Sequence, residues 1–278
     1  MQLTAQRLVL DLMSAAGDVE MPVRALVGAA EVFGITQNSL RVALARLLAD
    51  GKVTRNLRGL YALSAAAEPV QRHVASWSTI EERLVPWHGG WVAVHTAGLR
   101  RSSRAVVRRR ERALEFLGMR RLSPGLWLRP DNLAGGACQV RDELATLGME
   151  PKAPVFAMTE LSHTTDARAR RLWNAKTIER AYRDMTDKIA MSERGLDRLP
   201  LEQAVVECFL LGGRAIRQLA YDPLLPEPIV ATCLRSELVA AMRRYDRAGR
   251  RVWQKFMREH DAPALESLLS FRNVESAA

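Results

Sequence analysis

Ile35-Thr36-Gln37-Asn38-Ser39-Leu40-Arg41-Val42-Ala43-Leu44-Ala45-Arg46-Leu47-Leu48-Ala49-Asp50-Gly51-Lys52-Val53-Thr54-Arg55-Asn56-Leu57-Arg58-Gly59-Leu60-Tyr61-Ala62-Leu63 is the stretch whose reading decides the fold. Leu40, Leu44, Leu47 and Leu48 recur at helical spacing, while Arg41, Ala45 and Arg46 fall on the opposite face, with Asn38 and Ser39 near its start. Gly51 is placed to stop the helix. Val53-Thr54-Arg55 and Leu60-Tyr61-Ala62-Leu63 alternate as strands do, and Asn56 to Gly59 supply the turn between them. A helix with a polar outer face, followed at once by a hairpin carrying Lys52, Arg55 and Arg58, is the pattern of a winged helix-turn-helix. In that arrangement the helix enters the major groove of DNA and the hairpin cations meet flanking phosphates.

Working outward, residues 1–64 read as one DNA-binding domain. Leu8 and Leu12 mark a first helix ending near Gly17, and Pro22 opens a second that carries Leu26, Val27, Ala30 and Phe33 and closes at Gly34. The leucine stripes are expected to supply the core of this compact unit. Residues 65–88 form a linker, with a connecting helix expected over 69–88 and anchored by Trp77 and Trp87.

Residues 89–164 follow a different pattern. Gly90–Thr96 reads as a buried strand, Ser102–Leu117 as a helix closed by Gly118, and 119–122 and 126–129 as strands around Ser123-Pro124-Gly125. A helix over 133–147 and an apolar strand over 153–161 complete a β-α-β-β-α-β order, which is ferredoxin-like. Residues 165–278 are expected to be all helical, over 166–192, 200–220, 227–247, 249–259 and 262–271, with breaks at Gly195, Pro200, Pro223, Pro226 and Gly249. The fold class is therefore α+β and predominantly helical.

The chain has 278 residues and a formal net charge of +10, which favours an anionic partner without choosing among nucleic acid, membrane surface and phosphorylated ligand. Three separated cysteines, Cys138, Cys208 and Cys233, form no CxxC pattern and point to a reduced, cytoplasmic setting. No leader-like start and no apolar run of about 18 residues is present, so no membrane partner is expected. The five histidines, His73, His88, His95, His163 and His260, show no zinc spacing, and no Gly-x-Ser-x-Gly elbow occurs. No metal, cofactor or catalytic residue is expected, and the reading is of a protein that is not an enzyme.

Further motifs run in order along the chain: Ser39–Leu47 with Gly51, Trp87-His88-Gly89-Gly90-Trp91, and Arg112-Ala113-Leu114 with Gly118. They continue in Ser123-Pro124-Gly125-Leu126-Trp127-Leu128-Arg129-Pro130 and Tyr221-Asp222-Pro223-Leu224-Leu225-Pro226. In this order they resemble the PaaX-type transcriptional repressors of phenylacetate catabolism. The resemblance implies a winged helix, a Cas2-like ferredoxin domain, a helical C-terminal domain and a homodimer. It also implies a repressor released from a double-stranded DNA operator by an acyl- or aryl-coenzyme A thioester such as phenylacetyl-CoA. The hairpin Arg55-Asn56-Leu57-Arg58-Gly59-Leu60-Tyr61 departs from the family's Arg-x-Gly-Arg and has a shorter turn.

The candidate DNA-contacting residues are Thr36, Gln37, Asn38, Ser39, Arg41, Val42, Ala45 and Arg46 on the helix, with Lys52, Arg55 and Arg58 on the hairpin. Thr36 or Asn38 is alternatively the helix cap, and Arg46 alternatively meets a phosphate. Arg100, Arg101, Arg104, Arg108, Arg109, Arg110 and Arg112 are the densest positive run. Arg100, Arg101, Arg104, Arg108 and Arg109 are candidates for DNA-backbone or coenzyme A phosphates, against the alternative of a merely solvated face. Asp222–Pro226 reads as a capped, proline-stiffened connection rather than a functional loop. Competing classes are a non-catalytic RNA- or DNA-binding scaffold and a Cas2-like nuclease. The latter would want a carboxylate at the end of the first strand, and residues 90–96 hold none.

Overall fold

The computed structural model describes residues 3–16, 20–64, 74, 76–99 and 103–259. They form a mixed, mainly helical α+β structure with two small antiparallel sheets. The chain divides into two units, one made of residues 1–75, 188–216 and 241–278, the other of 76–187 and 217–240. Of the described residues after 164, 165–187 and 217–240 fall in the second unit and 188–216 and 241–259 in the first.

In the first unit, α1 (Ala5–Ala16) buries Leu8, Val9, Leu12 and Met13, and α2 (Val23–Val32) buries Ala25, Leu26, Ala29 and Ala30. Pro22 precedes α2 with φ −70°, a value its ring already imposes. At the other end Gly34 takes φ +67°, and Ile35 N–H donates to the Ala30 carbonyl at 2.9 Å, closing the helix. Next come α3 (Gln37–Ala49), β2 (Val53–Arg55) and β3 (Leu60–Leu63). A two-residue strand, β1 (Met21–Pro22), adds to the free side of β3, giving the order β1-β3-β2. Such a strand has too little sequence to announce itself, since it exists only through Met21 and Pro22 pairing with Tyr61 and Leu60.

The core of this unit is not supplied by residues 1–64 alone. Val205 and Phe256 are buried in it, and Phe209 and Trp253 pack against it. Phe209 belongs to α8 (Leu201–Ala220), Trp253 to α9 (Thr232–Glu259), and the Phe33 and Phe209 rings lie 4.9 Å apart. Sixty residues bury too small a fraction of their surface to close a large core alone, so added helices stabilise it.

The second unit holds β4 (Trp91–His95), α4 (Arg104–Phe116), β5 (Arg120–Ser123), β6 (Leu126–Pro130), α5 (Gly136–Thr146) and β7 (Val155–Met158). The sheet order is β5-β6-β4-β7 and every pairing is antiparallel. Trp91 to Val94 are all buried, as a central strand covered on both faces requires. Alternation puts Trp91 and Ala93 on one face, where they share a core with Leu128, Trp173, Leu225, Ile229 and Val230. Arg110, Ala113, Leu114 and Phe116 are the buried residues of α4, and Val140 and Leu144 those of α5.

Several sequence motifs converge in this unit. Arg129 is buried, and its guanidinium donates to the Leu117 carbonyl at 2.5 Å and to Asn132 Oδ1 at 3.3 Å. Asn132 in turn donates to the Leu224 carbonyl at 2.7 Å. Burial and the charge of Arg83 pull Arg129 down to about 10, which leaves it cationic at neutral pH. Trp173 Nε1 donates to the Gly118 carbonyl at 3.0 Å, and Asp222 Oδ1 accepts from Leu224 N–H at 2.7 Å. Asp222–Pro226 is thus a buried, capped connection, and these motif residues hold one another in place.

Four local expectations are corrected. Residues 76–83 are 3₁₀ turns kinked at Thr79, not part of a regular helix. The helix expected over 166–192 is broken into α6 (His163–Arg170) and α7 (Ala175–Gly195), because Trp173 turns inward to reach Gly118. The strand expected over 153–161 shortens to β7, the length over which β4 offers partners. Finally α9 runs through Gly249 without a break, and a side chain there would meet Cys208 Cβ at 3.5 Å. The cost of about 1 kcal/mol for one helical glycine is small beside the buried face it serves. The helix expected over 262–271, and residues 69–73 and 75 of the connecting helix, lie outside the described residues.

Candidate nucleic-acid interface

The local chemistry of Thr36 fixes where α3 starts. Its backbone is extended, its Oγ1 accepts from Ser39 N–H at 3.3 Å, and its hydroxyl donates to Ser39 Oγ at 2.9 Å. Thr36 is therefore the helix cap, one of the two roles its sequence position allowed, and Asn38 is left outside the cap. From there Leu40, Ala43, Leu44 and Leu47 turn inward. Gln37, Asn38, Ser39, Arg41, Val42, Ala45 and Arg46 are all exposed, with Val42 at 43% near the middle of this face. Gly51, at φ +65°, ends the helix, and Lys52 N–H donates to the Leu47 carbonyl at 2.9 Å, which directs the chain into the hairpin.

The hairpin is organised by one side chain. Asn56 Oδ1 accepts from the N–H groups of Arg58 at 2.9 Å and Leu60 at 3.0 Å, while Nδ2 donates to Glu20 Oε2 at 2.6 Å. Gly59 takes φ +77°, which a side chain would resist. Asparagine before such a turn is a legible signal, but its tie to Glu20, 36 positions away, is not. Lys52 stands 3.5 Å from Asp50, and the Arg55 guanidinium lies 5.6 Å from the centre of the Tyr61 ring. Among the described residues no ion pair engages Arg41, Arg46, Arg55 or Arg58. Between Gly34 and Ser64 the chain carries five cations and one carboxylate, Asp50.

The arginine run is not uniform. Arg100 and Arg101 lie outside the described residues. Arg104, Arg108 and Arg109 are exposed on α4, whose cap Ser103 accepts from Val106 N–H at 3.3 Å. Ser103, Arg104, Val107 and Arg108 line a shallow depression of about 360 Å³. Arg109 lies against Gly148, where an added Cβ would come within 3.3 Å of its Cδ. Arg110 is different in kind: it is buried and pairs with Glu150 through two of its nitrogens, at 2.5 and 3.1 Å. That hydrogen bonding holds the Glu150 carboxyl below its ordinary range. The run read as continuous charge thus contains one internal structural pair. The α3 and hairpin cations belong to the first unit and the α4 cations to the second.

Among the described residues no helix is long and apolar enough to cross a membrane, and no three His, Cys, Asp or Glu side chains group in a way that could hold a metal ion. What the described residues define is an α+β, mainly helical protein with two antiparallel sheets. No protein-family model matches the chain, and no curated protein does. Among solved structures it is similar to the uncharacterized protein Rv0674 from Mycobacterium tuberculosis, with a TM-score of 0.55 and 22% identity. The match covers 88% of this chain and 98% of that one. The likeness is one of fold.

Proposed function

We propose that the protein is a ligand-responsive transcriptional regulator that reads duplex DNA through α3 and its hairpin. In this reading residues 1–64 are a winged helix-turn-helix and residues 89–164 a ferredoxin-like domain. The observation that carries it is the outer face of α3 with its hairpin, where Arg41, Arg46, Lys52, Arg55 and Arg58 stand exposed beside Gln37, Asn38 and Ser39. Exposed cations neutralise phosphates and supply affinity, while amide and hydroxyl side chains at a helix start are suited to base edges. With the sequence resemblance, this favours a homodimeric repressor of an aromatic-acid catabolic operon, released by an acyl- or aryl-coenzyme A thioester. A dimer presents two such helices about one turn of DNA apart, so its operator is an imperfect palindrome. An inducer acts by binding the DNA-free and DNA-bound forms unequally. The exposed Arg104 and Arg108 are candidates for its phosphates or for the DNA backbone.

A gel-shift titration with DNA flanking the protein's own gene, with and without phenylacetyl-CoA, tests this reading. Retardation of one fragment over others, weakened in Arg41→Ala and Arg46→Ala and relieved by the thioester but not the free acid, is the expected result. Equal binding of every duplex, or of RNA in preference, overturns it in favour of a non-specific scaffold.

A further inference from the structure

We infer that Leu57 is an apolar probe of the minor groove, seated between two phosphate-contacting arginines, an assignment that rests on the DNA-binding reading above. Leu57 is fully exposed, at 108% of its reference area, at the tip of the hairpin. Residues at such tips are usually Gly, Asn, Asp, Pro or Ser, each with a conformational reason that leucine lacks.

The tip is also held still. Asn56 N–H donates to the Leu60 carbonyl, and Gly59 N–H to the Asn56 carbonyl, each at 3.0 Å. To these the Asn56 side chain adds its bonds to Arg58, Leu60 and Glu20. A side chain presented on a fixed turn loses little backbone freedom on binding, so its contact reports directly as affinity.

The neighbours of Leu57 select the partner. Arg55 and Arg58 flank it and are exposed, so the surface receiving the leucine is anionic at its rims and offers apolar contact between them. The minor groove does both, with phosphates along its edges, sugar walls between them and base faces that become available where a step parts. Apolar side chains entering it part base steps that unstack readily. A lipid surface would match the charge, but a single leucine is a weak anchor, and the amide groups of Gln37 and Asn38 on the adjacent helix suit base edges better than headgroups. Leu57 therefore confers a preference at a flanking step that α3 does not touch.

The test uses the full chain and duplexes that the wild-type protein enriches from a randomised library, resynthesised with 2-aminopurine at each flanking step. The expected result is a fluorescence rise at one flanking step, lost in Leu57→Ala together with roughly tenfold of affinity and of preference at that step. The slope of affinity with salt stays unchanged, because no phosphate contact is removed. Leu57→Met retains the signal, and Leu57→Arg steepens the salt slope by about one while losing the step preference. Equal affinity and fluorescence for Leu57→Ala overturn the inference and leave the DNA-binding reading standing. Failure of the wild-type protein to enrich any sequence overturns both. A Leu57→Ala defect confined to phosphatidylserine vesicle binding or to sedimentation of the free protein assigns the tip to another surface and also overturns it.

Discussion

The Tyr182 hydroxyl donates to Asp222 Oδ2 at 2.5 Å, with both groups buried. Asp222 also accepts from Leu224 N–H, and the Arg235 guanidinium stands 4.0 Å away. Removing one member of such a set leaves the others desolvated and unpaired. Tyr182→Phe is expected to cost about 1.5–3 kcal/mol, and Asp222→Ala about 3–5 kcal/mol. Urea unfolding followed by circular dichroism checks the order, and equal midpoints for the two variants would contradict it.

Three groups make the fold sensitive to alkali. Burial pushes the Cys208 thiol up to about 11 from 9.0, and burial lifts the Tyr182 and Tyr245 phenols above their ordinary range. The folded state then keeps protons that the unfolded chain gives up. Their contribution is complete below about pH 9 and declines as pH rises through the folded-state values. Urea midpoints should hold up to about pH 9 and fall as pH rises from there toward about 11, and Cys208→Ala should flatten part of the fall. Cys138 and Cys233 are exposed, so an alkylating agent should modify them in the native protein and Cys208 only on unfolding.

Gly118 cannot carry a side chain. Its φ is +71°, and an added Cβ would stand 2.6 Å from Pro223 Cα. Gly118→Ala is expected to lose roughly 2–6 kcal/mol, combining left-handed strain with overpacking. Thermal unfolding measures it, and a change within experimental error would refute the close approach.

Arg110 and Arg108 are expected to behave oppositely. Arg110 is 7% exposed and its partner Glu150 29%, so Arg110→Ala should cost about 1.5–3 kcal/mol of stability. Because Arg110 lowers the Glu150 carboxyl, that contribution is present above the ordinary value of 4.5 and lost as pH falls through the lowered one. The variant should therefore show a shallower loss of stability in acid and, on the DNA-binding proposal, an unchanged gel shift. Arg108→Ala, on an exposed side chain, should change stability by no more than about 0.5 kcal/mol. Parallel denaturation and gel-shift titrations separate the two.

The elements set by local chemistry were legible. Gly34 closes α2, and Thr36 and Gly51 bound α3, because capping and left-handed backbone depend on near neighbours. Strands β4 to β6 could be located for the same reason, the apolar run of β4 and the Ser123-Pro124-Gly125 turn between β5 and β6 being local. The inner and outer faces of α3 followed from leucine spacing alone. Gly249 misled because a glycine only weakens a helix, and whether it breaks depends on what packs there.

The sequence by itself located α1 to α3, the hairpin and strands β4 to β6 and showed which face of α3 is apolar, since hydrophobic periodicity and backbone preference act within a few residues. Tertiary structure alone decided that α8 and α9 complete the core around α2, and that β1 pairs with β3. It decided that Arg110 is buried while Arg108 is exposed, two arginines on one helix that the chain does not distinguish until Glu150 arrives from 40 residues away. It also decided that Leu57 stands in solvent on a turn tied to Glu20. These are pairings between distant residues, and their energy exists only once the chain has closed the loops between them.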